Sequence, residues 1–181
     1  MIANRLPRRL VLLRHAKSSW DADAARDIDR PLAPRGEAAA PEVGRLLAER
    51  DLWPEWVLCS PAKRTRQTWK RVSRAVEIPP VVAYDPALYL ASARTILARV
   101  KETPARITTV MVVGHNPGLQ ELAADLAARA DGEVAAAIAA KFPTAAVLAL
   151  AFDDVAWGEL DGAAGRLLAW RTPKGREPHE F

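Results

Sequence analysis

Two stretches of this chain end an apolar run on a histidine. In Leu10-Val-Leu-Leu-Arg14-His15-Ala-Lys17-Ser18 an arginine precedes the histidine, and a lysine and a serine follow it. In Val110-Met-Val-Val-Gly-His115-Asn116-Pro-Gly118 the run ends on Gly-His. The chain has three histidines, and the third, His179, lies in the tail. A further polar cluster, Ser60-Pro-Ala-Lys63-Arg64, follows the apolar Trp56-Val-Leu-Cys59. One Arg-His pair alone reads equally well as a solvated surface pair. A second histidine in the same setting favours a site. Arginine offers a planar fork suited to phosphate oxygens. Helix N-termini favour anions, because free N–H groups and the dipole face the ligand. The matching ligand is a phosphoryl group. A histidine is neutral often enough near pH 7 to be a nucleophile, and flanking arginines lower its pKa further. His15 is then the candidate to attack phosphorus and hold the phosphoryl group. Arg14, Arg64 and His115 would stabilise charge on the transferred oxygens. Lys17, Ser18 and Asn116 are placed to touch the substrate. This chemistry needs no metal, and the sequence offers no metal-ligand spacing.

These clusters work together only if each sits at the carboxyl end of a strand in one sheet, where open α/β folds bind ligands. Short apolar runs predict strands at 10–13, 56–59, 80–83, 107–113, 144–152 and 166–171. Helices are expected at 35–50, with Val43, Leu46 and Leu47 as its apolar stripe, and at 60–76, opened by Ser60 as N-cap and Pro61. Pro41 should bend the first helix or mark its true start. Further helices are expected at 92–102, capped by Ser92, at 116–129, capped by Asn116, and at 131–140. Segments 21–34, 84–89 and 153–165 read as loops. Strand and helix alternate through the first four strands, which predicts a three-layer α/β/α sandwich on a mostly parallel sheet. The last two strands, joined by a polar turn, read as an antiparallel hairpin at one end. Residues 1–8 and 172–181 are expected to be a peripheral basic arm and tail of one domain covering 1–181.

The motifs together resemble the histidine phosphatase superfamily over roughly residues 10–126. Family members begin with a strand and Arg-His-Gly, here Arg14-His15-Ala16, and continue with a Pro-Leu-Thr-x-x-Gly-like segment, here Pro31-Leu-Ala-Pro-Arg-Gly36. Ser-Pro-x-x-Arg-x-x-Gln-Thr follows, here Ser60 to Thr68 with Arg64 and Gln67, and then Val-Val-Gly-His ending on His115. Arg-His-Ala-Lys-Ser, the short length and His-Asn-Pro are most similar to the SixA-like phosphohistidine phosphatases. The resemblance implies a phosphoglycerate-mutase-like fold, His15 as the phosphorylated nucleophile, and Arg14, Arg64 and His115 around the phosphate. It also implies that Ser18 contacts phosphate. Larger members carry an acidic general acid, for which Asp85 and Asp21 are the candidates here. A phosphoramidate leaves with less acid help when its nitrogen is already protonated. Only 84–106 separates the third and fourth strands, which leaves no room for a long lid. An open pocket suits a phosphorylated protein or a small phosphoester better than a mutase that must keep water out.

The totals agree with this reading. Half of the 181 residues are hydrophobic and the net charge is +4, which favours an anionic partner without choosing one. The one cysteine, Cys59, reads as buried strand, cannot form an internal disulfide, and fits a reducing cytoplasm. No run approaches the roughly 20 apolar residues of a membrane span. The basic run from Lys63 to Arg74 reads as a solvated face or a docking patch for an acidic partner. Trp53, Trp56, Trp69, Trp157 and Trp170 read as packing, and no nucleic-acid motif accompanies them. The expected activity is metal-independent, cofactor-free hydrolysis of protein phosphohistidine through His15. The alternatives are a phosphatase of small phosphomonoesters and a non-catalytic phosphate-binding module.

Overall fold

The structure is a computed structural model and describes residues 6–20, 24–75, 78–160 and 164–173. Six strands form one sheet in the order β3-β2-β4-β1-β5-β6. They are β1 (Arg8–Arg14), β2 (Trp56–Cys59), β3 (Val81–Tyr84), β4 (Thr109–Gly114), β5 (Val147–Phe152) and β6 (Arg166–Arg171). β1 to β4 run parallel, and β5 runs antiparallel to both β1 and β6. The antiparallel member is therefore β5, with the last strand parallel to the first four.

The helices are α1 (Pro34–Glu49), α2 (Lys63–Val72), α3 (Ala93–Lys101), α4 (Gly118–Leu126) and α5 (Gly132–Ala140). They cover both faces because the central strands are apolar on both. Alternation along β1 divides the core. Leu10 and Leu12 pack with Ile96, Leu119, Leu122 and Ile138 beneath α3, α4 and α5. Val11 and Leu13 pack with Val43, Leu47, Trp69 and Val72 beneath α1 and α2. No helix among the described residues is long and apolar enough to cross a membrane.

Two expected caps do not form. α2 begins at Lys63, with Ala62 before it and no side-chain cap; Ser60 lies upstream of the first turn, where its Oγ meets His115 Nε2 at 2.7 Å and accepts from Ala62 N–H at 3.4 Å. α4 begins at Gly118, and Pro117 occupies its cap position. The Asn116 amide instead donates to Gln120 Oε1 and to the Phe142 carbonyl. Ser92 and Asp131 do cap α3 and α5. Pro41 lies inside α1, which starts seven residues earlier at Pro34. The expected loops 21–34, 84–89 and 153–165 each contain a short 3-10 turn, at Asp27–Asp29, Pro86–Leu88 and Trp157–Glu159. Trp69, Trp157 and Trp170 are buried.

Candidate active site

Register alone brings the two histidines together. Leu10 pairs with Val110 and Arg14 with Gly114 across the parallel β1–β4 ladder. The next residue on each strand is a histidine, so His15 faces His115, with ring centroids 5.2 Å apart. β2 ends one strand further along, and Ser60 N–H donates to the Val113 carbonyl at 3.0 Å. The ends of β1, β4 and β2 thus deliver His15, His115 and Ser60 to one edge of the sheet.

His15 is held by its own loop. Its Nδ1 lies 2.8 Å from the Ala16 carbonyl, which can only accept, so Nδ1 carries the proton. In the neutral ring Nε2 then keeps its lone pair, the form a nucleophile needs. Burial pushes the His15 pKa down to about 4, and the cations Arg64, Arg14 and Arg30 push the same way against the Ala16 carbonyl. His115 is lowered to about 3, first by burial and then by His15 and Arg64. Its Nδ1 sits 3.4 Å from an Arg64 amine, and its Nε2 lies 2.7 Å from Ser60 Oγ. Arg64 can only donate, so the proton of neutral His115 is on Nε2 and is donated to Ser60.

Two arginines flank the rings. Arg14 Nη1 donates to the Phe142 carbonyl at 2.9 Å, and its Nε is buried without a partner among the described residues. Arg64, 3% exposed, comes from the first turn of α2. Its Nη1 donates to the Asp27 carbonyl at 2.7 Å and its Nη2 to Asp27 Oδ2 at 2.9 Å. Asp27 also accepts from the Tyr89 hydroxyl at 2.6 Å and from Arg30 Nη1 at 2.8 Å. These donors, Tyr89 first among them, hold its carboxyl far below the usual carboxylate range against the opposing effect of burial. Tyr89 packs edge-on to the His115 ring at 5.5 Å.

Ser18 is buried, and its Oγ accepts from Arg30 Nη2 at 2.8 Å. The Gln67-Thr68 pair of α2 fastens the two loops beside it. Thr68 Oγ1 accepts from Ala16 N–H at 3.0 Å, and Gln67 Oε1 accepts from Leu32 N–H at 2.8 Å. Gly36 lets α1 approach the same loop, because a Cβ there would overlap the Lys17 carbonyl.

The structure thus gathers Arg14, His15, Arg64, His115 and, through Arg30, Ser18. Three other candidates are described. Asp85 accepts from Ala87 N–H at 2.8 Å and pairs with Arg99 at 2.9 Å, so its carboxylate serves the turn before α3 rather than the pocket. Asn116 uses its amide to tie Gln120 to Phe142. Lys17 is half-buried and contributes its backbone, accepting from Ala33 N–H. Asp21 lies outside the described residues. The pocket holds three residues that the motifs did not single out for it: Asp27, Arg30 and Tyr89. Asp27 lies 37 positions from Arg64, and only its charge in a basic neighbourhood signalled it. Cys59 is buried in β2, and burial pushes its thiol up to about 12, which leaves it inert.

Known proteins carry the same pattern. Residues 10–89 match the model described as the Histidine phosphatase superfamily (branch 1). An uncharacterized chloroplastic protein of Arabidopsis thaliana is 39% identical over 132 residues, 67% of this chain and 60% of that one. The chain therefore spans three fifths of that relative's length. An uncharacterized protein of Mycobacterium tuberculosis is 34% identical over 164 residues, 90% of this chain and 100% of that protein. A solved structure, of a candidate phosphohistidine phosphatase SixA from Nakamurella multipartitia, superposes with a TM-score of 0.77 at 32% identity, covering 93% of this chain and 98% of that one.

Proposed function

This chain belongs to the histidine phosphatase superfamily, and from that premise we propose that it hydrolyses phosphohistidine on proteins through a phosphoryl group carried by His15. The observation that carries this reading is the state of Asp27, the carboxylate that the described residues bring to the pocket. Asp27 is held ionised by Arg64, Tyr89 and Arg30, so it has no proton to give an alkoxide. Asp85 is engaged elsewhere. A leaving group that needs no proton from the pocket suits it, and the imidazole of phosphohistidine is one.

In the first step His15 Nε2 attacks phosphorus in line. The new N–P bond forms as the P–N bond to the substrate histidine breaks; with its other ring nitrogen already protonated, the substrate side chain leaves as neutral imidazole and takes no proton from the pocket. Arg14 and Arg64 neutralise the equatorial oxygens. Burial chiefly keeps His115 neutral, with the nearby cations adding to it; a phosphoryl dianion between the rings opposes both, so His115 becomes easier to protonate when it is bound. Water then attacks the phosphohistidine, releases phosphate and returns neutral His15. Kinship with a SixA candidate of 32% identity supports the same substrate class.

The test compares a phosphohistidine peptide with an aryl phosphate, in wild type and His15→Ala. The expected result is faster turnover of the peptide, loss of turnover in the variant, and an acid-labile, alkali-stable phosphoenzyme in wild type. Turnover of the aryl phosphate alone would make the protein a phosphomonoesterase. No turnover of either by folded wild type would make it a binding module.

A further inference from the structure

Several arginines on this surface stand against a carboxylate. Arg26 pairs with Asp29, Arg45 with Glu42, Arg71 with Glu37, and Arg99 with Asp85 and Glu102. A row of cations on α2 has no such partner among the described residues and lines a groove. Lys63, Arg66 and Lys70 are exposed, and i, i+3, i+7 spacing puts them on one face of α2. None of the three has a carboxylate partner among the described residues.

The row forms one wall of a groove of about 550 Å³, with Tyr84 at the end of β3 opposite it. The Arg66 guanidinium lies 5.4 Å from the Tyr84 ring centroid, and the tyrosine is 49% exposed. Among the described residues Asp29 is the one carboxylate lining the groove, and it pairs with Arg26. The groove therefore offers uncompensated positive charge beside an accessible aromatic face.

Its position relates it to the phosphoryl pocket. Lys63 precedes Arg64 at the start of α2, and the row leads from there down the helix. At 1.5 Å per residue the row is about 10 Å long. A phosphomonoester seated between the histidines cannot also fill it, whereas about three residues of extended chain can.

We propose that this groove docks an acidic segment adjacent to the phosphohistidine of a protein substrate. The inference rests on the phosphohistidine reading above. The groove selects among phosphoproteins, while the histidine pair does the chemistry. Such rim charges act mainly on encounter and KM, and their effect falls with salt.

The test uses two synthetic phosphohistidine peptides of equal length, one with four glutamates beginning two residues from the phosphohistidine and one with serines there. Wild type is expected to favour the acidic peptide by about tenfold in kcat/KM at low salt, chiefly through KM. Arg66→Glu with Lys70→Glu should abolish that preference and leave turnover of the serine peptide unchanged. Arg129→Glu, on the exposed stretch beyond the far end of α4, made together with Arg106→Glu on the exposed stretch before β4, changes net charge by the same four units, tests whether net charge alone is responsible and should keep the preference. Equal turnover of both peptides by wild type, or an equal loss of preference with Arg129→Glu and Arg106→Glu together, overturns the docking groove while leaving the phosphohistidine reading intact. No turnover of either peptide overturns that reading and the groove with it. Single-stranded DNA of matched charge competing more strongly than the unphosphorylated acidic peptide would assign the groove to nucleic acid and overturn the proposal.

Discussion

Arg64 faces two claims on one guanidinium. Asp27 engages both its terminal amines, and a phosphoryl group in this pocket would need the same donors. The Asp27 side chain is 43% exposed, so solvent weakens its hold, and a dianion outweighs a single partly screened carboxylate. The carboxylate still opposes the incoming charge. Asp27→Asn is therefore expected to tighten inhibition by inorganic phosphate at least about threefold, measured as the competitive inhibition constant. An unchanged or weaker constant would mean that Asp27 serves mainly to orient Arg64. The histidines make a second prediction at this scale. His15 and His115 have pKa values near 4 and 3 in the fold, against about 6.5 unfolded. Above pH 6.5 neither state is protonated, and stability is unaffected. As pH falls from 6.5 towards 4 the unfolded chain binds protons that the fold refuses, so stability falls, by up to about 1.4 kcal/mol per pH unit for each histidine. Denaturant midpoints at pH 7.5 and 5 should show this loss, and His115→Asn should lessen it. By the same shift kcat/KM, which reports the free enzyme, should hold steady through pH 6.5 and fall only on approaching pH 4. An acid limb centred at 6.5 would contradict the depressed His15.

The strands that carry these groups were plain in the sequence, and the helix starts were not. Strands buried on both faces must be continuous apolar runs, and β2 and β6 match the expected 56–59 and 166–171 residue for residue. Ser60 and Asn116 misled because a polar residue before a helix satisfies the capping pattern whatever its side chain finally bonds. In the fold, Ser60 meets His115 and Ala62 N–H upstream of the first turn, and Gln120 with Phe142 takes Asn116. Asp27 and Tyr89 were illegible for a related reason. They stand on short turns without periodicity, and they meet only when the ends of β1, β2 and β3 converge. The Gln67-Thr68 pair was visible as a motif, and its task is now apparent: α2 grips the loop after β1. Thr68→Val keeps the volume and removes the acceptor for the buried Ala16 N–H. It should cost about 1–3 kcal/mol in a denaturant titration. It should also lower kcat with little change in KM for small substrates, because the loop it frees carries the nucleophile. A stability loss with kcat intact would limit α2 to holding the fold.

On the scale of the whole molecule, charge is distributed as the site requires. The net charge is only +4, yet Arg14, Arg30 and Arg64 converge where the parallel strands end, and the α2 row begins beside them. Arg9, Arg26, Arg45, Arg71 and Arg99 are paired with acids elsewhere on the surface. The molecule therefore presents a positive edge at the site, a field that raises the encounter rate of dianions. At 0.15 M ionic strength this field is screened beyond roughly 8 Å. It guides substrate at close range and leaves the in-line step, enclosed between buried rings, untouched. Raising salt from 0.05 to 0.5 M is thus expected to lower kcat/KM for a dianionic aryl phosphate several-fold while kcat stays constant. A monoanionic phosphodiester used as a competing ligand should lose affinity with a shallower salt slope. If kcat fell in step with kcat/KM, salt would be acting on the arginines that hold the transferred phosphoryl group rather than on its approach. Asp27→Asn would then steepen the dependence, because it removes the carboxylate that otherwise keeps Arg64 occupied.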